Sequence, residues 1–277
     1  MMFQRKEVYM DIKTNTTNLL AISAHPDDTE IMAMDGILKA YGSKKYAFYA
    51  CVVANGTNCV KMGKYTDWTD KEMIDARAQE QLRASQIGEY ADLYQLKRTE
   101  ADIKNGEIVL KDIQKILAEV QPDVVYTHNV FDKNPIHQRL AQIVIDAIML
   151  MEEDARPRMV YGCELHRSLN WLPDRYKVTF DLSDNKELQN RLIGVYDTRA
   201  EQSRNYVKAV LGRKMANATF ITGDATSDDE ERLIWYGINL TPVVQKNIPL
   251  KEFCTKVLSD FNKEALEEIK APDIEEK

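Results

Sequence analysis

Apolar residues in this chain fall in short unbroken runs that alternate with longer amphipathic or charged stretches. The run Leu19-Leu20-Ala21-Ile22-Ser23 shows no in-and-out alternation, the pattern of a strand covered on both faces of a parallel sheet. Pro26 stops its ladder, having no backbone N–H to give. A helix is expected from about Glu30 to Tyr41, and a second buried strand over residues 46–53 that runs into Ala54-Asn55-Gly56-Thr57. Residues 69–87 read as a highly charged helix closed by Gly88, and residues 92–96 as a short third strand. Ile113, Ile116, Leu117 and Val120 form a helical stripe ended by Pro122, after which residues 123–129 make a fourth strand. His137 opens a helix carrying Leu140, Ile143, Val144, Ala147 and Ile148. Strands five and six are expected at 159–165 and 176–182, followed by a long amphipathic helix capped by Asp184 and ending near Gly212. A Ser/Asp/Glu-rich surface loop at 223–232 and an acidic tail at 272–277 complete the pattern.

Strands alternating with helices at this spacing build right-handed βαβ units. The expected fold is therefore α/β: a Rossmann-like, mostly parallel sheet with helices on both faces. It occupies residues 1–212, with residues 213–277 as a C-terminal extension packed on the same domain. In the doubly wound order 3-2-1-4, strands one and four are neighbours, and their carboxyl ends flank the crevice where such sheets bind ligands.

Composition narrows the function classes. The 277 residues carry 44% hydrophobic and 29% charged positions, ordinary values for a globular protein with a sizeable core. A formal net charge of −7 argues against nucleic acid or an anionic membrane as partner, since both demand a basic face. The first twenty residues hold no apolar stretch of signal-peptide length, and no later run reaches a membrane span, so a cytoplasmic protein is expected. Cys51, Cys59, Cys163 and Cys254 are scattered without a Cys-x-x-Cys pair, and no Gly-x-Gly-x-x-Gly follows a strand.

The chemistry-bearing residues collect at the strand ends. Of four histidines, His25, His128 and His137 sit beside acids or amides at the carboxyl ends of strands one and four. His25, Asp28 and His137 supply the three protein ligands of a catalytic zinc, which keeps a further position for water. Asp27 is then the base for that water. The plainer alternative is that Asp27 or Asp28 merely caps the next helix. Arg77 and Glu80, three residues apart on a helix, equally fit a surface ion pair.

The segment Ala24-His25-Pro26-Asp27-Asp28-Thr29-Glu30 resembles the first motif of the PIG-L/LmbE-like zinc-dependent de-N-acetylases. Asp132 and His137 fall at the first and last positions of that family's Asp followed by His-x-x-His, and Arg77, Glu80, Ala84 and Gly88 match its middle pattern. The likeness runs from about Leu19 to Ser203 and implies His25, Asp28 and His137 as zinc ligands, Asp27 as base and Glu30 as support for the turn. Three departures stand out. Asn134 replaces the histidine that serves the family as general acid, with Ile136 where its orienting acid belongs; Met32-Ala33-Met34-Asp35 replaces a glycine-rich turn; and the family's C-terminal pattern is absent. Asn134 donates a hydrogen bond but no proton, so the proton for the leaving amine returns from Asp27 itself or comes from His128 or His166 as the candidate acid. Arg77 and Asn55 are the candidate substrate-binding residues. The resemblance implies a Zn2+-dependent amidohydrolase that removes acetyl from an N-acetylated amino sugar or glycoconjugate, a small-molecule partner with room for a homo-oligomer. The alternative is a sugar-binding protein on the same fold that keeps the metal and has lost catalysis.

Overall fold

The computed structural model describes residues 16–200, 205–221, 232–267 and 269. The surface loop expected at 223–232, Arg232 apart, and the acidic tail lie outside them. Among the described residues, seven strands form one sheet: β1 (Thr17–Ser23), β2 (Tyr46–Ala54), β3 (Asp92–Arg98), β4 (Val124–His128), β5 (Met159–Cys163), β6 (Lys177–Asp181) and β7 (Ile234–Asn239). Their order is β3-β2-β1-β4-β5-β7-β6, parallel from β3 to β5, with β7 antiparallel to both β5 and β6. The α/β class and the 3-2-1-4 order are as expected. β7 is an addition, drawn from the buried run Ile234-Trp235-Tyr236-Gly237-Ile238 and inserted between β5 and β6.

Because successive side chains of a strand point to opposite faces, β1 feeds two cores. Leu20 and Ile22 join Val125, Ile113 and Leu140 on one face, while Leu19 and Ala21 join Phe48, Tyr126 and Trp235 on the other. The helices are α1 (Asp28–Met32), α2 (Met34–Ala40), α3 (Asp70–Ile87), α4 (Glu100–Asn105), α5 (Glu107–Val120), α6 (Pro135–Met149), α7 (Lys186–Gly194), α8 (Asp197–Ala200), α9 (Tyr206–Ala218), α10 (Thr241–Gln245) and α11 (Leu250–Leu266). Among the described residues no helix is long and apolar enough to cross a membrane.

Three expected helices differ in detail. The one at 30–41 breaks at Ala33 into α1 and α2, which seats Gly36 where a Cβ would stand 2.8 Å from the Phe48 ring. The one opened by His137 starts two residues earlier, at Pro135, under an Asn134 cap. The long helix after 184 is capped by Asn185, not Asp184, and is interrupted between α7 and α9. The interruption has a cause in tertiary bonding: Tyr196 turns inward to Glu30 at 2.6 Å, and the Thr198 hydroxyl donates to Glu80 at 2.6 Å.

Lys214 of α9 is fully buried, and its ammonium meets the Gln189 side-chain oxygen at 2.8 Å. Burial pulls its pKa from 10.5 down to about 7. Between those values the unfolded chain binds more protons than the fold, so stability rises with pH across that window. At ~1.4 kcal/mol per unit the gain is on the order of 4 kcal/mol. Urea unfolding from pH 7 to 10 should show this upward slope, and Lys214→Met should flatten it.

Candidate metal centre and catalytic site

The site forms where β1 and β4 lie side by side and end on the same rim. Immediately past β1, Asp27 adopts φ 86°, a left-handed conformation uncommon for a side-chain-bearing residue. The reversal sends consecutive carboxylates in different directions. Asp28 folds back, its Oδ2 accepting the His25 backbone N–H at 2.8 Å. Asp27 faces α3 and α9 instead.

Three donor atoms converge beside the turn. His25 Nδ1 lies 3.2 Å from Asp28 Oδ2 and 3.1 Å from His137 Nε2, and His137 Nε2 lies 3.4 Å from Asp28 Oδ2. Adjacent ligands of a tetrahedral ion with bonds of ~2.0–2.1 Å stand about this far apart. The imidazole, imidazole and carboxylate set suits a divalent ion of zinc's character, so the residues present fit a metal. Each imidazole also has a carboxylate behind it. His25 Nε2 is 3.3 Å from Glu100 Oε1, and His137 Nδ1 is 3.4 Å from Asp132 Oδ1. Such partners fix ring orientation and strengthen the ligand. Burial works against ionised Asp28, yet the neighbouring His137 and His25 rings hold its carboxyl well below the usual range.

Asp132 ties two loops together. Its oxygens accept the backbone N–H groups of Asn134 at 2.8 Å and His166 at 2.9 Å. Despite the opposing effect of burial, these bonds and His137 keep its carboxyl well below the ordinary value.

Asp27 is 3% exposed, and both of its carboxylate oxygens accept hydrogen bonds. Its Oδ1 accepts from Arg77 Nη2 at 2.9 Å, and its Oδ2 accepts from Arg199 Nε at 3.0 Å and from the Tyr206 hydroxyl at 2.5 Å. Arg77 is no surface residue. Buried in α3, it also donates to the Pro26 carbonyl at 2.6 Å, while Glu80 turns to Thr198. Glu30 accepts from Tyr90, Tyr196 and Gln81, and burial lifts its carboxyl to about 6 in spite of these bonds.

His25, Asp27, Asp28, Arg77, Asn134 and His166 line one cavity of about 190 Å³, together with Asn58, Cys59, Glu100 and Arg199. The Asn134 Oδ1 accepts the Ile136 N–H at 2.9 Å as the α6 cap, which leaves its Nδ2 as the donor for a ligand. His137 is buried behind the cavity. His128 stands deeper still: stacked on His137 at 3.9 Å, it accepts the Ala24 N–H on Nε2 at 2.8 Å. Burial and the adjacent His137 ring lower its pKa well below the usual value, so it is neutral. Asn55 does not line the cavity. Its Oδ1 accepts the Thr57 N–H and hydroxyl, shaping the loop whose Gly56, at φ 79°, passes so close to Arg77 that a Cβ would sit 2.7 Å from Nε.

Sequence reasoning missed Glu100, Arg199 and Tyr206. Glu100 carries a usable signal, since it follows β3 on the rim where β1 and β4 end. Arg199 and Tyr206 lie in a stretch whose continuous amphipathic pattern conceals the break that brings them inward.

Residues 20–148 match the family model described as GlcNAc-PI de-N-acetylase, PIG-L. No curated protein matches the chain. Among solved structures, the 4-carboxy-2-hydroxymuconate hydratase GalB of Pseudomonas putida is 18% identical with a TM-score of 0.61, over 81% of this chain and 96% of that one. The N,N'-diacetylchitobiose deacetylase of Pyrococcus horikoshii is 18% identical with a TM-score of 0.58, over 80% and 82%. The zinc-inhibited form of the teicoplanin deacetylase Orf2 is 15% identical with a TM-score of 0.56, over 80% and 98%. At these identities the structures share the fold.

Removing the carboxylate behind His25 tests the metal centre without touching a ligand. Glu100→Ala should weaken zinc binding by about 10–100-fold in a competition titration with a chromophoric chelator.

Proposed function

Residues 20–148 belong to the PIG-L/LmbE-like GlcNAc-PI de-N-acetylase family, and on that premise we propose that the protein is a zinc-dependent amidohydrolase. It removes the acetyl group from an N-acetylated amino sugar or glycoconjugate. One observation carries the reading: three ligand atoms stand 3.1–3.4 Å apart, those of His25 and Asp28 on residues that line the cavity holding Asp27 and that of His137 directly behind them. Fold alone would not suffice, since a hydratase shares it.

His25, Asp28 and His137 hold the metal. When bound, zinc polarises the acetamide carbonyl and acidifies the attacking water. Asp27 receives the water's proton. With Oδ2 accepting two hydrogen bonds and Oδ1 only one, the remaining lone pair on Oδ1 is the basic site. Arg77, Arg199 and Tyr206 fix the carboxylate's orientation, and burial beside Asp27 keeps the tyrosine protonated as a donor. Asn134 Nδ2 donates to the oxygen on which negative charge develops. The carbonyl then re-forms from that oxygen as the C–N bond breaks, acetate leaves, and the amine takes up a proton. The proton that Asp27 took from the water reaches it through His166, which is on the cavity wall 4.8 Å from the His137 ring, whereas His128 is sealed behind that ring. Asn58, Glu100 and the walls around Arg77 offer polar partners for sugar hydroxyls.

The metal-retaining binding protein stands as a second reading, favoured by Asn134 and Ile136 in place of a proton-delivering pair. Acetate release from N-acetylglucosamine conjugates by the zinc-loaded protein decides between them. Asp27→Asn should lower kcat by about 10²–10⁴ with zinc content unchanged. His166→Ala should lower kcat more than it changes KM. Stoichiometric zinc with no acetate from any conjugate would return the second reading.

A further inference from the structure

A second chamber of about 220 Å³ adjoins the site. It shares Asp27, Asp28, His166 and Arg199 with the polar cavity, so the two chambers meet at the reacting groups. Its other walls are apolar: Ile31 of α1, Leu165 beyond β5, Ala209 and Val210 of α9, and Trp235 of β7. The polar side chains along its edge already have partners. The Tyr206 hydroxyl and the Arg199 guanidinium are bound to Asp27, and the Arg213 guanidinium lies over the Trp235 ring at 5.0 Å and donates to the Leu165 carbonyl. What remains for a ligand here is apolar surface.

We infer that this chamber receives the acyl chain of the substrate, so that acetyl is the short end of a range extending to straight chains of about eight carbons. The inference rests on the amidohydrolase reading. An amide bound with its carbonyl at the Asp27 and Asp28 junction has two sides. The amine side carries sugar hydroxyls and needs the donors and acceptors of the polar cavity; the acyl side is hydrocarbon and matches the second chamber. At ~30 Å³ for a water-sized group, the chamber holds about seven such groups, enough for an octanoyl tail. The reaction is unchanged: water adds to the carbonyl carbon, the C–N bond breaks, and the products are a straight-chain carboxylate and the amine.

The zinc-loaded chain is titrated calorimetrically with acetate, butanoate, hexanoate and octanoate, and amine release is measured from the matching N-acyl glucosamines. Each added methylene buried should tighten the carboxylate about fourfold, the equivalent of ~0.8 kcal/mol. The ratio of octanoyl to acetyl turnover should exceed one. Ala209→Trp, on the exposed side of α9, and Val210→Trp, facing the core, should each abolish the length dependence. Equal affinities along the series, or a length dependence that survives both tryptophans, overturns the proposal. Length-dependent carboxylate binding that both tryptophans remove, with no amine released from any conjugate, upholds the chamber and removes the hydrolase reading.

Discussion

A single backbone reversal at Asp27 sets the geometry of this molecule. Adjacent acids on an extended chain would face opposite sides of the sheet. Here the φ 86° turn instead folds Asp28 back over the end of β1 and swings Asp27 toward α3. The turn is held from both sides, by the His25 N–H on the Asp28 carboxylate and by the Arg77 guanidinium on the Pro26 carbonyl. A left-handed aspartate costs on the order of 1–3 kcal/mol, and such strain persists only where surrounding contacts over-determine it. The contacts around Asp27 are of that kind: two guanidinium groups and a phenol on one carboxylate, drawn from three separate helices.

Beneath this turn the imidazoles are layered. His128 has no exposure, is neutral, and spends its Nε2 lone pair on the backbone of the residue before His25. Its flat face supports His137 at 3.9 Å with the rings 16° apart. One side chain of β4 thus constrains both imidazoles of the candidate metal centre, one through the backbone and one through its ring.

Much of this architecture is legible in the chain itself. Buried parallel strands announce themselves as apolar runs without alternation, and the 3-2-1-4 order brings Asp28 and His137 together from segments about a hundred residues apart. The turn residue, the two histidines and the cap at Asn134 all lie at strand ends where topology makes them neighbours. What stays hidden depends on long-range bonds with no local periodicity. Arg77 and Glu80 have the spacing of an ion pair, yet the fold directs one to Asp27 and the other to Thr198. Residues 186–218 keep a helical pattern through a break created by Tyr196 and Thr198 reaching inward. β7 is a different kind of omission: its apolar run is plain in the sequence, but nothing local says that it lies between two earlier strands.

That insertion has a consequence for how the chain acquires its structure as it is synthesised. Among the described residues, β6 pairs only with β7, and the outer edge of β5 is covered only by β7. A nascent chain that has not yet emerged past residue 239 therefore presents an open β5 edge, with β6 lacking any ladder partner. Unpaired edges template association with other chains, and late long-range pairing prolongs their exposure. The parallel half of the sheet, which holds His25, Asp28 and His137, can assemble from contiguous βαβ units while its far side waits. Vulnerability to aggregation on the ribosome is thereby concentrated at the β5 edge, on the side of the sheet away from β1.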